Sequence, residues 1–524
     1  GSLSSTSLPA IKLFLRAEQF YRRGWYDSAV AYGQQAVAID STFTLALRLI
    51  AAAIRNGLPG NSTLYLLLAG ARNHGLAPRE SLLVVVDSLW GALDSGSTTP
   101  GPLLRRLYRT LEEAVRLYPD DPAFWVYRGE LGYYRANAYA VPLTVAQTLE
   151  SFERAIRLDS AFIPGYSHAM ELAQPLRGTE AARGLLAAEL AGEPRSPLAS
   201  GHRLVQVVLE PRTMTSSEAN RLIDTSSRMV RAFAWYTVKT WTDSGEVAVR
   251  LGRLVAASLH GFQAIDSISR GWMLPLTLAY RGHLRAAIPA LSEIRYEDLI
   301  PAQGSRFADF INALLLESAL LGVIPSDSGA AVFRRWLHSS DPWMGAAAAW
   351  WAVTEDTNSL RELARRAASF DRSSVHRLDY FSRRGRPYWQ YVVAATQPYL
   401  ALARHDTGAA IAGLASLPDS LCPKCFYEPF VLAQLLVATG RNREAAALLN
   451  RELYPPVRLE TPSRGVWALL RGRVHERLGN KEEAIAAYRF VADLWIHADP
   501  ELQRYVAEAH EGLRRLGAER GSLR

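Results

Sequence analysis

The chain has 524 residues, 49% of them hydrophobic and 21% charged, with 13 Trp and 22 Tyr. That length exceeds what one compact core fills, and the apolar content excludes disorder, so the chain is either several domains or one array that grows by repetition. The formal charge of +8 is carried almost wholly by Arg, with Lys only at Lys12, Lys239, Lys424 and Lys481, and the Arg are scattered in ones and twos, which argues against a nucleic-acid partner.

No apolar run reaches the ~18 residues of a membrane span. The stretch from Ile311 to Ile324 is broken by Glu317. The opening Gly1-Ser2 reads as the scar of a cleaved expression tag, so an anchor or a further domain ahead of Leu3 stays open.

In chain order, the first strong signal is a spacing of small residues at Ala17, Gly24, Ala29 and Ala36. Steps of seven are about two helical turns, so Ala17 stands two turns before the turn residue Gly24, and Ala29 and Ala36 share a face of the next helix. Small side chains let two antiparallel helices cross closely, and Gly24 supplies the backbone freedom to end the first. The predicted unit is a helical hairpin. Glu80 to Leu93 follows as an amphipathic helix, and Gly96 to Pro102 marks a boundary. LEEAVRLYPDD reads as a closing repeat helix, and a further hairpin is built on Trp125, Gly129, Phe152, Ala155 and Asp159, with extra residues around Ala136 to Pro142.

Boundaries recur at Gly192 to Pro197, Pro211 to Ser217 and Ser326 to Gly329, with helices predicted over Ser217 to Ala234 and Leu360 to Ala368. Weaker hairpins centre on Gly282 and Ala287, where Pro275 predicts a kinked or short first helix, and on Ala410. Ala433, Gly440 and Ala445 repeat three steps of the spacing, with Glu452 at the fourth. Gly472, Gly479, Ala484 and Val491 repeat all four. No run of alternating β-branched residues is long enough for a sheet.

Two hairpins, AEQFYRRGWYDSAVAYGQQAVAIDS and RGRVHERLGNKEEAIAAYRFVADL, resemble tetratricopeptide repeats. The resemblance implies an all-α solenoid of antiparallel hairpins, wound as a right-handed superhelix with a concave inner surface. At about 34 residues per hairpin, the length accommodates roughly 24 to 30 helices. The blocks expected are 1–100, 101–200, a divergent middle over 201–400, and 401–524.

Cys422 and Cys425, in LCPKCF, are the only cysteines. Their spacing fits a zinc half-site, a redox pair, a local disulfide or an inert reduced pair. Zinc lacks a second pair of ligands, and a thioredoxin-like site lacks its βαβ setting. A disulfide would imply an oxidising compartment. Among the 11 His there is no metalloprotease motif, and nucleophile-elbow, dinucleotide and phosphate-loop patterns are absent. No catalytic residue, metal or cofactor is expected. His475, inside a clear repeat helix, reads as a packed residue.

Aromatic and Arg residues gather at Phe233, Trp235, Tyr236 and Trp241, and at Arg383, Arg384, Arg386, Tyr388, Trp389 and Tyr391. Such sets suit a groove that holds a protein, a peptide or an anionic small molecule, with rings for contact area and guanidinium forks for carboxylates; in a helical stack they also serve as core.

The opening SLPAIKLFLRAEQFYRRGWYDSAVAYGQQAVAIDSTFTLALRL, the CPKCF segment and the ending FVADLWIHADPELQRYVAEA together resemble the C-terminal region of bacterial serine/threonine kinases. There a kinase domain and a membrane span precede an extracytoplasmic repeat region. No kinase signature is present in this chain. The resemblance implies a sensor region outside the cytoplasm. A cytoplasmic adaptor predicts free thiols and a stable partner, and an enzyme in residues 200–400 predicts a deep pocket with convergent titratable groups.

Overall fold

The computed structural model describes residues 5–518 except 57, 59, 96–99, 136–139, 193–194, 210–214, 258–272, 293–313, 338–344, 370–385, 419–425 and 451–461. Among the described residues there are 27 helices and no strand, only a single bridge residue at Val141. The fold is an all-α, tetratricopeptide-like solenoid. The chain divides into two compact units, Gly1–Trp241 and the described residues from Thr242 onward.

Unit 1 holds α1 (Leu8–Arg22), α2 (Tyr26–Ile39), α3 (Thr44–Ile54), α4 (Ser62–Ala71), α5 (Pro78–Ser95), α6 (Pro100–Leu117), α7 (Pro122–Arg135), α8 (Val145–Leu158), α9 (Tyr166–Arg177), α10 (Thr179–Gly192), α11 (Pro197–Leu209), α12 (Ser216–Thr225) and α13 (Arg228–Val238). From α1 to α12 each helix packs on its successor, and α13 returns onto α11.

Local chemistry sets these elements. The Ser7 side chain accepts from the Ala10 amide and Pro9 sits in the first turn, so α1 starts there. Gly24, at φ 74°, closes the turn into α2. Thr144 and Gln147 form a reciprocal capping box at the start of α8. Gly129 of α7 lies against the Phe152 ring of α8, where a Cβ would stand 2.7 Å from ring carbons.

The helix predicted over Ser217 to Ala234 is two helices. Ser226 is extended, and the Ser227 side chain accepts from the Val230 amide to begin α13, a local bond that competes with a continuous helix. Ser326 to Gly329, expected to mark a boundary, is where a helix begins.

Unit 1 also closes on itself. Arg22 of α1 pairs with Asp159, Tyr21 meets Phe162 at a ring separation of 6.5 Å, and Gly24 faces Ile163 and Ser196. The first hairpin therefore touches the turns that precede α9 and α11. Enclosure explains α3, which is buried along its whole length except at Arg48.

Unit 2 holds α14 (Gly245–Ala257), α15 (Met273–Tyr280), α16 (Leu284–Ser292), α17 (314–320), α18 (Ser326–Leu337), α19 (Gly345–Val353), α20 (Thr357–Ser369), α21 (Arg386–Leu402), α22 (Thr407–Ala415), α23 (Tyr427–Ala438), α24 (Asn442–Leu449), α25 (Ser463–Arg477), α26 (Lys481–Leu494) and α27 (Gln503–Arg515). With Pro275 in its first turn, α15 is short, at eight residues. The turn between α15 and α16 docks on the turn between α26 and α27. Asp499 N donates to the Gly282 carbonyl at 3.0 Å, Trp495 Nε1 to the Tyr280 carbonyl at 3.1 Å, and Arg285 pairs with Glu501.

Candidate functional site: a polar seam inside unit 1

Helices α3, α5, α7, α9 and α13 of unit 1 join polar side chains into one seam. The first rung starts from Arg48, whose Nε lies 2.6 Å from Asp87 Oδ2 of α5 and whose Nη2 donates to the Tyr127 hydroxyl of α7 at 3.0 Å. The second centres on Asp94 of α5, paired with Arg135 of α7 at 2.9 Å and with Arg55, just past α3, at 3.6 Å. Both guanidiniums lie over the buried Trp90 ring, Arg55 at 4.7 Å and Arg135 at 5.2 Å from its centre.

The third rung joins α7, α9 and α13. His168 stands between two carboxylates, its Nε2 3.4 Å from Glu130 and its Nδ1 3.4 Å from Glu171, with its ring stacked on Tyr133 at 3.9 Å. The Tyr134 hydroxyl is 3.1 Å from His168 Nε2. Glu171 accepts from the Tyr133 hydroxyl and takes Lys239 Nζ at 3.0 Å, and Lys239 lies 5.8 Å from the centre of the Trp235 ring.

The electrostatics match an enclosed network. Burial pushes the Asp87 carboxyl up against the pull of Arg48, and pushes Glu130 up against His168 and Arg55. Burial alone would raise Glu171 too, but Lys239, His168 and Tyr133 together bring it down to about 2. For His168, burial favours the neutral ring, and Glu130 and Glu171 outweigh it, so the imidazolium is favoured. Burial lifts the Tyr21 hydroxyl to about 12 and those of Tyr127 and Tyr134 well above the ordinary value.

Yet one edge of the seam reaches solvent. Tyr134 is 38% and Tyr236 42% exposed, and the side chains of Arg55, Glu130 and His168 keep 28%, 23% and 20% of their surface accessible. The seam thus has an accessible edge of Tyr134, Tyr236, Arg55, Glu130 and His168 and a buried body of Asp87, Trp90, Tyr133, Glu171 and Lys239.

The sequence-derived candidates are placed as follows. Trp235 and Trp241 are buried, with Arg183 over the Trp241 ring at 5.6 Å, whereas Tyr236 is exposed beside Trp235. Cys422, Cys425, Arg383 and Arg384 lie outside the described residues. Arg386, Tyr388 and Trp389 lie in the first turn of α21, and Tyr391 on the same helix is buried beside Glu428. Ala17, Ala29, Ala36, Ala155, Ala433, Ala445 and Ala484 are buried at helix crossings. Gly24, Gly440 and Gly479 end helices at positive φ, and Gly129 and Gly472 give room to the Phe152 and Tyr488 rings. His475 is held between Asn450 and Asn480, each at 3.0 Å, as a packed clamp of two turns.

Other polar groups are closed to ligands or too shallow. Glu189 and His202 pair with one another in full burial between α10 and α11. In unit 2 Glu317 accepts from Ser463 N at 3.1 Å, and burial raises Glu317 and Glu428 each to about 7. A depression of about 460 Å³ on α1 is lined by Lys12, Leu15, Arg16, Gln19, Phe20 and Arg23, all from one stretch of helix, so no groups converge from several elements. Among the described residues no group of three or more His, Cys, Asp or Glu is arranged to hold a metal ion, and no helix is long and apolar enough to cross a membrane.

Sequence reasoning missed the seam. Its signal was present as lone charges in apolar helices: Arg48 in TLALRLIAAAI, Asp87 in LLVVVDSLW and Lys239 in WYTVKTW. A buried charge is retained only with a partner.

No family model and no curated protein matches the chain. It is similar to a chain in a solved structure of Naa15/Naa10 bound to HypK-THB, at 12% identity over 97% of this chain and 79% of that one, with a TM-score of 0.23. It is also similar to a chain of the APC/C hetero-tetramer Cut9-Hcn1, at 10% identity over 96% of both chains, with a TM-score of 0.23. Scores that low bear on neither mechanism nor partners, and the fold assignment rests on the helices themselves.

Proposed function

We propose that this chain is a non-catalytic helical-repeat scaffold that binds a peptide or protein segment along the inner groove of unit 1. The observation that carries the reading is the seam. Ion pairs, tyrosines and a Trp in contact with two guanidiniums come from successive repeats, and Tyr134, Tyr236, Arg55, Glu130 and His168 among them stay accessible. Rigid rings on packed helices supply contact area at low entropic cost, and paired charges supply hydrogen-bond register, which is how repeat scaffolds recognise extended chains.

The likeness of the opening, cysteine and closing segments to the repeat regions of bacterial serine/threonine kinases supports a finer reading. The chain is then the extracytoplasmic signal-input region of such a kinase, and occupancy of the groove is the signal.

Selection of random linear peptides against the full chain tests the binding claim. Selected peptides are expected to lose at least about tenfold in affinity for Tyr134→Ala or Tyr236→Ala, a hot-spot effect of about 1.4 kcal/mol. Peptides that bind both variants as tightly as wild type would place the site elsewhere. The compartment is tested by intact mass without reductant. Loss of two hydrogens with no alkylation of Cys422 and Cys425 fits the extracytoplasmic placement, and two alkylated thiols contradict it.

A further inference from the structure

His168 of α9 is engaged through both of its ring nitrogens. Nε2 lies 3.4 Å from Glu130 of α7 and Nδ1 lies 3.4 Å from Glu171 of α9, while Tyr133 of α7 stacks on the ring at 3.9 Å. A neutral imidazole has one N–H and turns a lone pair towards whatever faces its other nitrogen, so only the imidazolium presents an N–H to both carboxylates. The rung is therefore arranged for the charged ring. With that ring, Glu130 and Glu171 are balanced by His168 and Lys239; with the neutral ring, the same four groups carry one net negative charge.

The geometry also identifies the contact that a neutral ring gives up. The Tyr134 hydroxyl, 3.1 Å from Nε2, can donate to that nitrogen once it is bare, and the Nδ1 proton stays on Glu171, which keeps Lys239 at 3.0 Å. Glu130 is then the group that loses its partner. Its other cation, Arg55, stands 3.6 Å from Asp94 and acts on Glu130 less than His168 does. The remaining neighbours of α9 bring no substitute. From α8 the Phe152 ring lies 5.8 Å from the imidazole and Glu153 is paired with Arg177; on α10, Glu189 is paired with His202 and Arg183 lies over Trp241.

We propose that His168 is a proton-operated latch between α7 and α9: the charged ring ties Glu130 to Glu171 past the intervening α8, and loss of its proton releases Glu130 and loosens the two helices from one another. Burial pulls the imidazole down, and Glu130 and Glu171 outweigh it, so the folded ring titrates above its ordinary 6.5. The stabilisation is therefore complete below 6.5 and is lost as pH rises through the higher folded value. Every group in the latch belongs to this chain, so it stands whether or not the accessible edge of the seam takes a peptide.

Histidine-ring NMR of the full chain, with the His168 signal assigned by its loss in His168→Gln, tests the latch together with amide exchange in α7 and α9 from about pH 5.5 to about pH 8.5, corrected for the intrinsic pH dependence of exchange. His168 is expected to titrate above 6.5. Protection in α7 and α9 is expected to fall over the same range, by about tenfold for each pH unit by which that titration exceeds 6.5, and His168→Gln should abolish the fall. Glu130→Gln leaves the ring in place and removes one of its two carboxylates. It should move the His168 titration down and shrink the fall in protection, a response that a merely packed ring does not give. A His168 that titrates at or below 6.5, a titration that Glu130→Gln leaves where it was, or protection that stays level through the titration or falls equally in His168→Gln overturns the latch.

Discussion

Glu317 offers a test of how the interior of unit 2 handles charge. Its carboxyl is buried, accepts from Ser463 N at the start of α25 at 3.1 Å, and neighbours the pair of Tyr427 and Ser463 hydroxyls, which are 2.9 Å apart. Burial raises it from 4.5 to about 7. The folded state thus holds this proton more tightly than the unfolded chain does. The stabilisation is complete below the unfolded value and is lost as pH rises through about 7. At about 1.4 kcal/mol per pH unit, the interval amounts to roughly 3 kcal/mol. Glu317→Gln is permanently neutral, and its amide oxygen can still accept from Ser463 N. The variant should match wild type to within about 1 kcal/mol at pH 5 and exceed it by roughly 3 kcal/mol at pH 8. Urea unfolding at the two pH values, followed by tryptophan fluorescence and by amide exchange in α25, reads the difference. A variant less stable than wild type at pH 8 would refute the reasoning, because it would mean that the ionised carboxylate is a net stabilising cap.

Other consequences follow from the same packing. Lys239→Met strips Glu171 of its ammonium partner and should cost roughly 3–5 kcal/mol in unit 1, with most of it recovered when Glu171→Leu is added, as measured by chemical denaturation of the single and double variants. Glu171 carries the opposite pH sign to Glu317. Its stabilisation is present above 4.5 and is lost as pH falls towards about 2, so amide protection in α9 should weaken between pH 4.5 and pH 3. Gly129→Ala would drive a Cβ to 2.7 Å from the Phe152 ring and should destabilise by about 1–3 kcal/mol, seen as a lower Tm.

The hairpins were legible in the sequence because small residues at helix crossings are a local signal. Ala17, Gly24, Ala29 and Ala36 mark a two-turn spacing whether or not the rest of the chain is known. The seam was not legible, because Arg48, Asp87 and Tyr127 meet on alternate helices, with Arg48 and Tyr127 79 positions apart. Only the presence of a charge in an apolar helix hints that a partner exists, and it does not say where. Clustering of rings along the chain misled for a related reason. Trp235, Tyr236 and Trp241 are close in sequence, but a helix spreads its residues over all faces, so two of them went into the core and one stayed exposed.

The most direct test of the groove is hydroxyl-radical footprinting of the full chain with and without a saturating selected peptide, read residue by residue by mass spectrometry. The account predicts protection concentrated at Tyr134, Tyr236 and His168, with Leu8 and Leu15 on the outer face of α1 unchanged. Protection confined to α1 or to unit 2, with Tyr134 and Tyr236 oxidised as before, would contradict it.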